Sequence, residues 1–189
     1  MRARRATAAI LLAGAAFAPG YPAAQTGARA PTAVEMHEGE VLYLPTPQHV
    51  VEEMLQLARL APGDVLYDLG SGDGRIVIAA AQRYGVRAVG IELDARRVEL
   101  ARRNAEAGGV AHLVEFRNQD LFEADFRDAS VVTLFLFREM NLRLRPRLQA
   151  ELRPGARVVS HRFDMGDWRP QREILAHGHP LYLWTIDPR

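Results

Sequence analysis

Gly70, Gly72 and Gly74 stand at alternate positions in Val65 to Ile76, which reads V-L-Y-D-L-G-S-G-D-G-R-I. An apolar run ends in Asp68 before them, and a helix-compatible run, Arg75 to Tyr84, follows. Glycine reaches backbone angles closed to other residues and lets a ligand lie directly against the main chain. A strand, a tight turn and a helix built this way therefore form a seat for a cofactor. A dinucleotide wants the spacing G-x-G-x-x-G, with its pyrophosphate on the helix N-terminus. Here the spacing is G-x-G-x-G, Arg75 takes the place of the third glycine, and Asp68 and Asp73 bring negative charge to the turn. That charge repels a pyrophosphate and suits a ligand bearing an amine and a sulfonium.

Around the turn the apolar periodicity predicts a β-α-β unit, with parallel strands and a right-handed crossover. The second strand is Arg87 to Leu93, carrying Glu92 near its end. Asp94 caps a polar helix, Ala95 to Ala107, and a third strand, His112 to Arg117, leads into Asp120. Ser130 to Phe137 is the most continuously apolar strand, as expected at the centre of a sheet covered on both faces. Upstream, Thr46 is placed to cap a helix with Pro47 at its first position, and apolar spacing runs from Val50 to Leu60 before Pro62-Gly63. Downstream, Leu142 to Leu152 reads as a helix whose regular part begins near Arg145, because Pro146 lacks the N–H that a helix interior needs. Arg157 to Phe163 is a fifth strand. Glu173 to Ala176 and Leu181 to Ile186 read as an antiparallel hairpin that closes the sheet.

Composition narrows the function classes. With 48% hydrophobic and 25% charged residues in 189, the chain is an ordinary globular domain. It has no cysteine, which excludes thiolate metal sites and cysteine nucleophiles, and all 24 basic residues are arginine. His49, His161, His177 and His179 have no metal-ligand spacing and read as surface or packing residues. Residues 1–34 hold Arg2, Arg4, Arg5 and Arg29 and no acid, and Ala6 to Ala18 matches the apolar core of an export signal while being too short for a stable transmembrane anchor. We therefore expect a signal peptide and linker over 1–34 and one globular domain over 35–189. The latter keeps 20 arginines against 23 acids, a formal charge of −3, which disfavours a nucleic-acid partner held by a broad basic field. An exported or periplasmic location follows from the leader. The alternative is a cytoplasmic protein whose start codon is assigned too early.

Asp68 to Gly74 resembles the first motif of the class I S-adenosylmethionine-dependent methyltransferases. Glu92 and Asp120 fall where that family places its ribose and adenine contacts. The resemblance implies an α/β, three-layer Rossmann-like fold, with a mostly parallel seven-stranded sheet of order 3-2-1-4-5-7-6 and a C-terminal antiparallel hairpin. It implies S-adenosylmethionine as cofactor and S-adenosylhomocysteine as product. Cofactor contacts are implied at Tyr43, Thr46, Asp68, Gly70, Ser71, Gly72, Asp73, Gly74, Glu92, Leu93, Asp120 and Leu121. The chemistry agrees: Glu92 can accept from both ribose hydroxyls, and Asp120 from the adenine amino group. Y-L-P-T-P at Tyr43 to Pro47, D-L-G-S-G-D-G-R-I-V-I-A-A-A at Asp68 to Ala81 and R-V-V-S-H-R-F-D-M-G-D-W-R-P at Arg157 to Pro170 resemble more narrowly the small protein-lysine methyltransferases of the ATP synthase c-subunit and adenine nucleotide translocase type.

That narrower resemblance implies a protein lysine as methyl acceptor. A small-molecule methyltransferase and a non-catalytic S-adenosylmethionine-binding protein are the competing readings. Glu139 and Asn141, in the segment after the fourth strand, are the candidate catalytic residues, placed to orient an amine through acceptor oxygens, with Tyr43 and Thr46 closing the site from the N-terminal side.

Overall fold

The computed structural model describes residues 44–188, so the leader and Tyr43 lie outside the described residues. In chain order the elements are α1 (Gln48–Leu57), β1 (Val65–Leu69), α2 (Arg75–Tyr84), β2 (Arg87–Glu92), α3 (Ala95–Ala107), β3 (Val114–Asn118), β4 (Val131–Leu134), α4 (Arg138–Glu151), β5 (Arg157–His161), β6 (Arg172–Ala176) and β7 (His179–Thr185). The strands form one seven-stranded sheet of order β3-β2-β1-β4-β5-β7-β6, as the resemblance implies. β3 through β5 run parallel, and β7 pairs antiparallel with both β5 and β6.

Strand pleating sends alternate side chains to opposite faces and so builds two cores. Leu66, Ala88, Val131 and Val159 join the apolar faces of α1, α2 and α3. Tyr67, Leu69, Val132, Leu134 and Val158 face the other way, onto Leu144 and Leu148 of α4, Phe126 and Trp184. Three layers result, and the carboxyl ends of β1, β2 and β4 come to one edge. Among the described residues no helix is long and apolar enough to cross a membrane.

Local signals fixed α2 and α3 to the residue. Gly74 and Gly85 hold left-handed angles at the two ends of α2, and the Asp94 carboxylate accepts from the N–H of Arg96 at the start of α3. Elsewhere the structure corrects the sequence reading. Pro47, not Thr46, is the cap of α1, and as a proline it has no side-chain atom to make a cap bond, while the Thr46 hydroxyl is bonded to His161 instead. α4 begins at Arg138 and carries Pro146 inside it. The proline forfeits one helical bond, but anchors on either side of it offset that loss. Arg145 Nη1 donates to Met165 O at 2.9 Å, and Arg147 donates to the carbonyls of Phe122 and Ala124 at 2.6 and 2.9 Å. β4 stops at Leu134, where its pairing with β5 ends at Ser160.

At the opposite edge from the glycine turn, Asp64 ties α1 to three strands. Its carboxylate accepts from Ser130 Oγ at 2.6 Å, and Ser130 Oγ in turn accepts from Val65 N–H at 2.8 Å. Arg157 also binds Asp64, and its Nη1 donates to the carbonyls of Ala58 and Arg59 at 2.8 and 2.9 Å. Burial alone would raise the Asp64 pKa, but the bonds from Ser130 and Ala61 and the charge of Arg157 hold it below the usual carboxylate range. Arg157→Ala removes the donor to two carbonyls and leaves the Asp64 carboxylate, still bonded by Ser130 and Ala61, without its cationic partner. It is expected to lower the urea unfolding free energy by about 2 kcal/mol without changing cofactor affinity, because the binding edge lies at the other end of the strands.

Candidate active site

The turn after β1 takes the backbone angles its glycines were expected to supply, with φ of 86° at Gly70, 53° at Gly72 and 81° at Gly74. Close approach excludes a side chain as well: a Cβ on Gly70 would meet Leu136 Cδ2 at 2.8 Å, and one on Gly74 would meet Phe116 Cζ at 2.7 Å. The N–H groups of Gly70 and Ser71 donate to Ile91 O at 2.8 and 2.9 Å, which fastens the turn to the end of β2.

Glu92 completes that fastening. Its Oε2 accepts from Gly72 N–H at 2.9 Å and its Oε1 from Asp94 N–H at 2.9 Å. Each carboxylate oxygen has two lone pairs, so both remain able to accept from a ribose hydroxyl while bracing the turn. Asn118 Nδ2 donates to Leu93 O at 2.7 Å and steadies the same loop. Leu93 is 66% exposed, an open apolar surface beside Glu92. Asp120 accepts from Phe122 N–H through Oδ1 at 2.9 Å, and Leu121 after it is buried. The three strand-end acids thus gather at one edge, as the sequence reading required.

Asp68 is 3% exposed, and Thr133 Oγ1 donates to it at 2.8 Å. Burial pushes its pKa up to about 7. The Thr133 bond opposes that rise, and the negative charges of Glu92 and Asp73 add to it. Asp73 has a different local role from Asp68. Its carboxylate is bound by Arg75 Nε at 2.9 Å and Nη2 at 2.5 Å, so most of its charge is compensated within the turn. The repulsion of a pyrophosphate therefore rests on Asp68 and Glu92. The seat fits S-adenosylmethionine: a buried carboxylate for a cationic amine, a glycine turn without side chains, and acceptors at the ends of β2 and β3. Thr133 was not among the expected residues, although a lone hydroxyl in V-V-T-L was a readable signal.

Beyond β4 the two candidate catalytic residues part. Glu139 is exposed in the first turn of α4, whereas Asn141 is 0% exposed. Residues two apart on a helix point to different faces, so Glu139 and Asn141 do not act as a pair. Asn141 Nδ2 donates to Ser160 Oγ and Phe163 O, both at 3.1 Å. Ser160 Oγ gives its own proton to Phe163 O at 2.7 Å, which fixes the amide orientation. Asn141 Oδ1 is left buried with no hydrogen-bond partner among the described residues, as is Ser71 Oγ. Thr46 is 3% exposed, and its carbonyl accepts from Arg75 Nη1 at 2.9 Å, which places it beside the turn. His161, set aside in the sequence reading, bonds to it.

Comparison with known proteins agrees with this geometry. The family model described as ANTKMT methyltransferase domain matches residues 68–172. A protein-lysine N-methyltransferase of Saccharolobus islandicus is 42% identical over 77% of this chain and 94% of its own length. The adenine nucleotide translocase lysine N-methyltransferase of Mus musculus is 44% identical over 78% of this chain, which spans only 63% of that relative. The crystal structure of an RNA methyltransferase from Salinibacter ruber, in complex with S-adenosyl-L-homocysteine, is 56% identical. It covers 77% of this chain and 95% of its own, with a TM-score of 0.76.

A carboxyl group with a pKa of about 7 links cofactor binding to pH. The raised folded-state value means that the Asp68 contribution to stability is present below about pH 4 and is lost as pH rises through about 7. A cationic amine stabilises the ionised form, so binding releases a proton. The affinity for S-adenosylmethionine should fall as pH drops below 7, by up to about tenfold per unit. Calorimetry in buffers of different ionisation enthalpy reads that proton, and Asp68→Asn should flatten the dependence.

Proposed function

Since the chain belongs to the ANTKMT methyltransferase family and is an S-adenosylmethionine-dependent methyltransferase, we propose that its methyl acceptor is the side-chain amine of a protein lysine. Asp68, Glu92 and Asp120 hold the cofactor by its amine, ribose and adenine. Bound there, S-adenosylmethionine supplies a methyl group on a positively charged sulfur, open to in-line attack. The protein aligns the nucleophile and excludes water, with little covalent chemistry of its own.

The observation that carries the lysine reading is Asn141. A buried carbonyl oxygen without a donor is costly, and an amine or ammonium is the kind of group that satisfies it. Its orientation is fixed on the far side of the amide by Ser160 and Phe163, so Oδ1 is held ready. A lysine with its reference pKa of about 10.4 is well under ~1% neutral at pH 7, and a desolvated slot lowers that value. The Saccharolobus islandicus and Mus musculus relatives named for lysine support this acceptor.

The name of the Salinibacter ruber protein favours a second reading, RNA as acceptor. Against it, residues 35–189 carry a formal charge of −3, which disfavours a nucleic-acid partner held by a broad basic field. Labelled S-adenosylmethionine incubated with the enzyme and cell extract separates the two. Because the chain contains no lysine, every methyllysine recovered after acid hydrolysis comes from a substrate. We expect protease-sensitive label and methyllysine; nuclease-sensitive label without methyllysine overturns the reading. Asn141→Ala should reduce transfer by at least about tenfold while S-adenosylhomocysteine affinity stays within about twofold, with thermal unfolding checked in parallel.

A further inference from the structure

Four histidines from three separate stretches of the sequence meet next to Thr46. His161 ends β5, is 1% exposed, and places Nδ1 3.1 Å from Thr46 Oγ1 and Nε2 2.9 Å from Nδ1 of His179, the first residue of β7. His49, near the start of α1, has its ring 4.7 Å from that of His177 and 6.3 Å from that of His179. His49 and His177 are exposed and His179 is half-buried. Two hydrogen-bonded steps thus lead from a buried hydroxyl to the surface. Among the described residues no group of three or more His, Asp or Glu could hold a metal ion, and His161 Nε2 and His179 Nδ1 lie at hydrogen-bond distance.

The inner end of this chain lies at the site. Thr46 is bonded through its carbonyl to Arg75, the first residue of α2. Phe135, directly after β4, lies 4.0 Å ring to ring on His161, and Leu136 next to it covers Gly70. The same segment leads into α4 and Asn141.

We propose that Thr46, His161 and His179 form a relay that carries the proton lost by the acceptor ammonium out to solvent. The inference rests on the lysine reading above, since a lysine is protonated at neutral pH and must shed one proton for each methyl it receives. The ammonium N–H bond breaks, and its proton goes to Thr46 Oγ as the Thr46 proton passes to His161 Nδ1. His161 then gives its Nε2 proton to His179 Nδ1, and His179 releases one from Nε2 to water. The freed nitrogen lone pair forms the bond to the methyl carbon while the sulfur keeps the electrons of the broken C–S bond, so charge and protons balance.

The surroundings suit a relay rather than a store. Burial, with His179 and Arg162 nearby, lowers the His161 pKa to about 4, so a proton does not rest on it. The charged and titratable groups that act on it are His179 of the hairpin and Arg162 following its own strand, and beyond His179 stand His49 of α1 and His177, all basic.

Two measurements test the relay. Nitrogen-15 NMR of the histidine rings in the intact protein should find His161 neutral at pH 6, protonated on Nε2 and bare on Nδ1, with Thr46→Val shifting the Nδ1 signal. His161 protonated on Nδ1 would run the chain inward and overturns the proposal whatever the acceptor proves to be. The second measurement is transfer to extract protein, counted as methyllysine against pH. His161→Phe and His179→Ala should lower turnover at pH 7 by about tenfold or more and approach wild-type turnover by about pH 9.5, where more of the acceptor has lost its proton unaided. S-Adenosylhomocysteine affinity should not change in the two histidine variants, and Thr46→Ser should retain the transfer that Thr46→Val loses. An equal loss at every pH, or no loss in His179→Ala, overturns the relay and leaves the lysine reading standing; label in nuclease-sensitive material alone overturns both.

Discussion

One carboxylate, that of Glu92, fixes the distance between the glycine turn and the loop after β2. By accepting from Gly72 on one side and Asp94 on the other, it makes the turn and the start of α3 one rigid unit. The constraint reaches outward from there. With Gly70 and Ser71 fastened to Ile91, the carboxyl end of β1 cannot move independently of β2. Asp68 is then held in a buried position where its own charge is disfavoured and that of Glu92 is close. A cationic cofactor would relieve this, so the electrostatic cost built into the fold would become affinity for the right ligand.

The cofactor half of the site was legible in sequence because its determinants are local. Three alternate glycines, an acid before them and an acid at each of the next two strand ends depend only on where strands stop, and apolar runs show that well. The helices bounded by Gly74, Gly85 and Asp94 were readable for the same reason. Thr46 was misread as a cap because its hydroxyl bonds a residue 115 positions away. Pro146 was misread as a helix start because the arginine anchors that tolerate it come from distant loops.

The proposed acceptor half depends on topology, and so was hidden. Glu139 and Asn141 looked equivalent until the helix began at Arg138 and turned them to different faces. The histidines are scattered over α1, β5 and the β6–β7 turn. They come together because β7 inserts antiparallel next to β5, bringing the hairpin turn to the carboxyl end of that strand. No spacing rule applied to one sequence encodes that meeting.

A crystal structure with S-adenosylhomocysteine would show whether Glu92 and Asp68 define the donor seat. Both ribose hydroxyls should lie within about 3 Å of the Glu92 carboxylate, the amine of the amino-acid end next to Asp68 and the adenine against Asp120 and Leu121. A ligand seated elsewhere, or one whose ribose is held by other residues while Glu92 only braces the turn, would contradict that assignment.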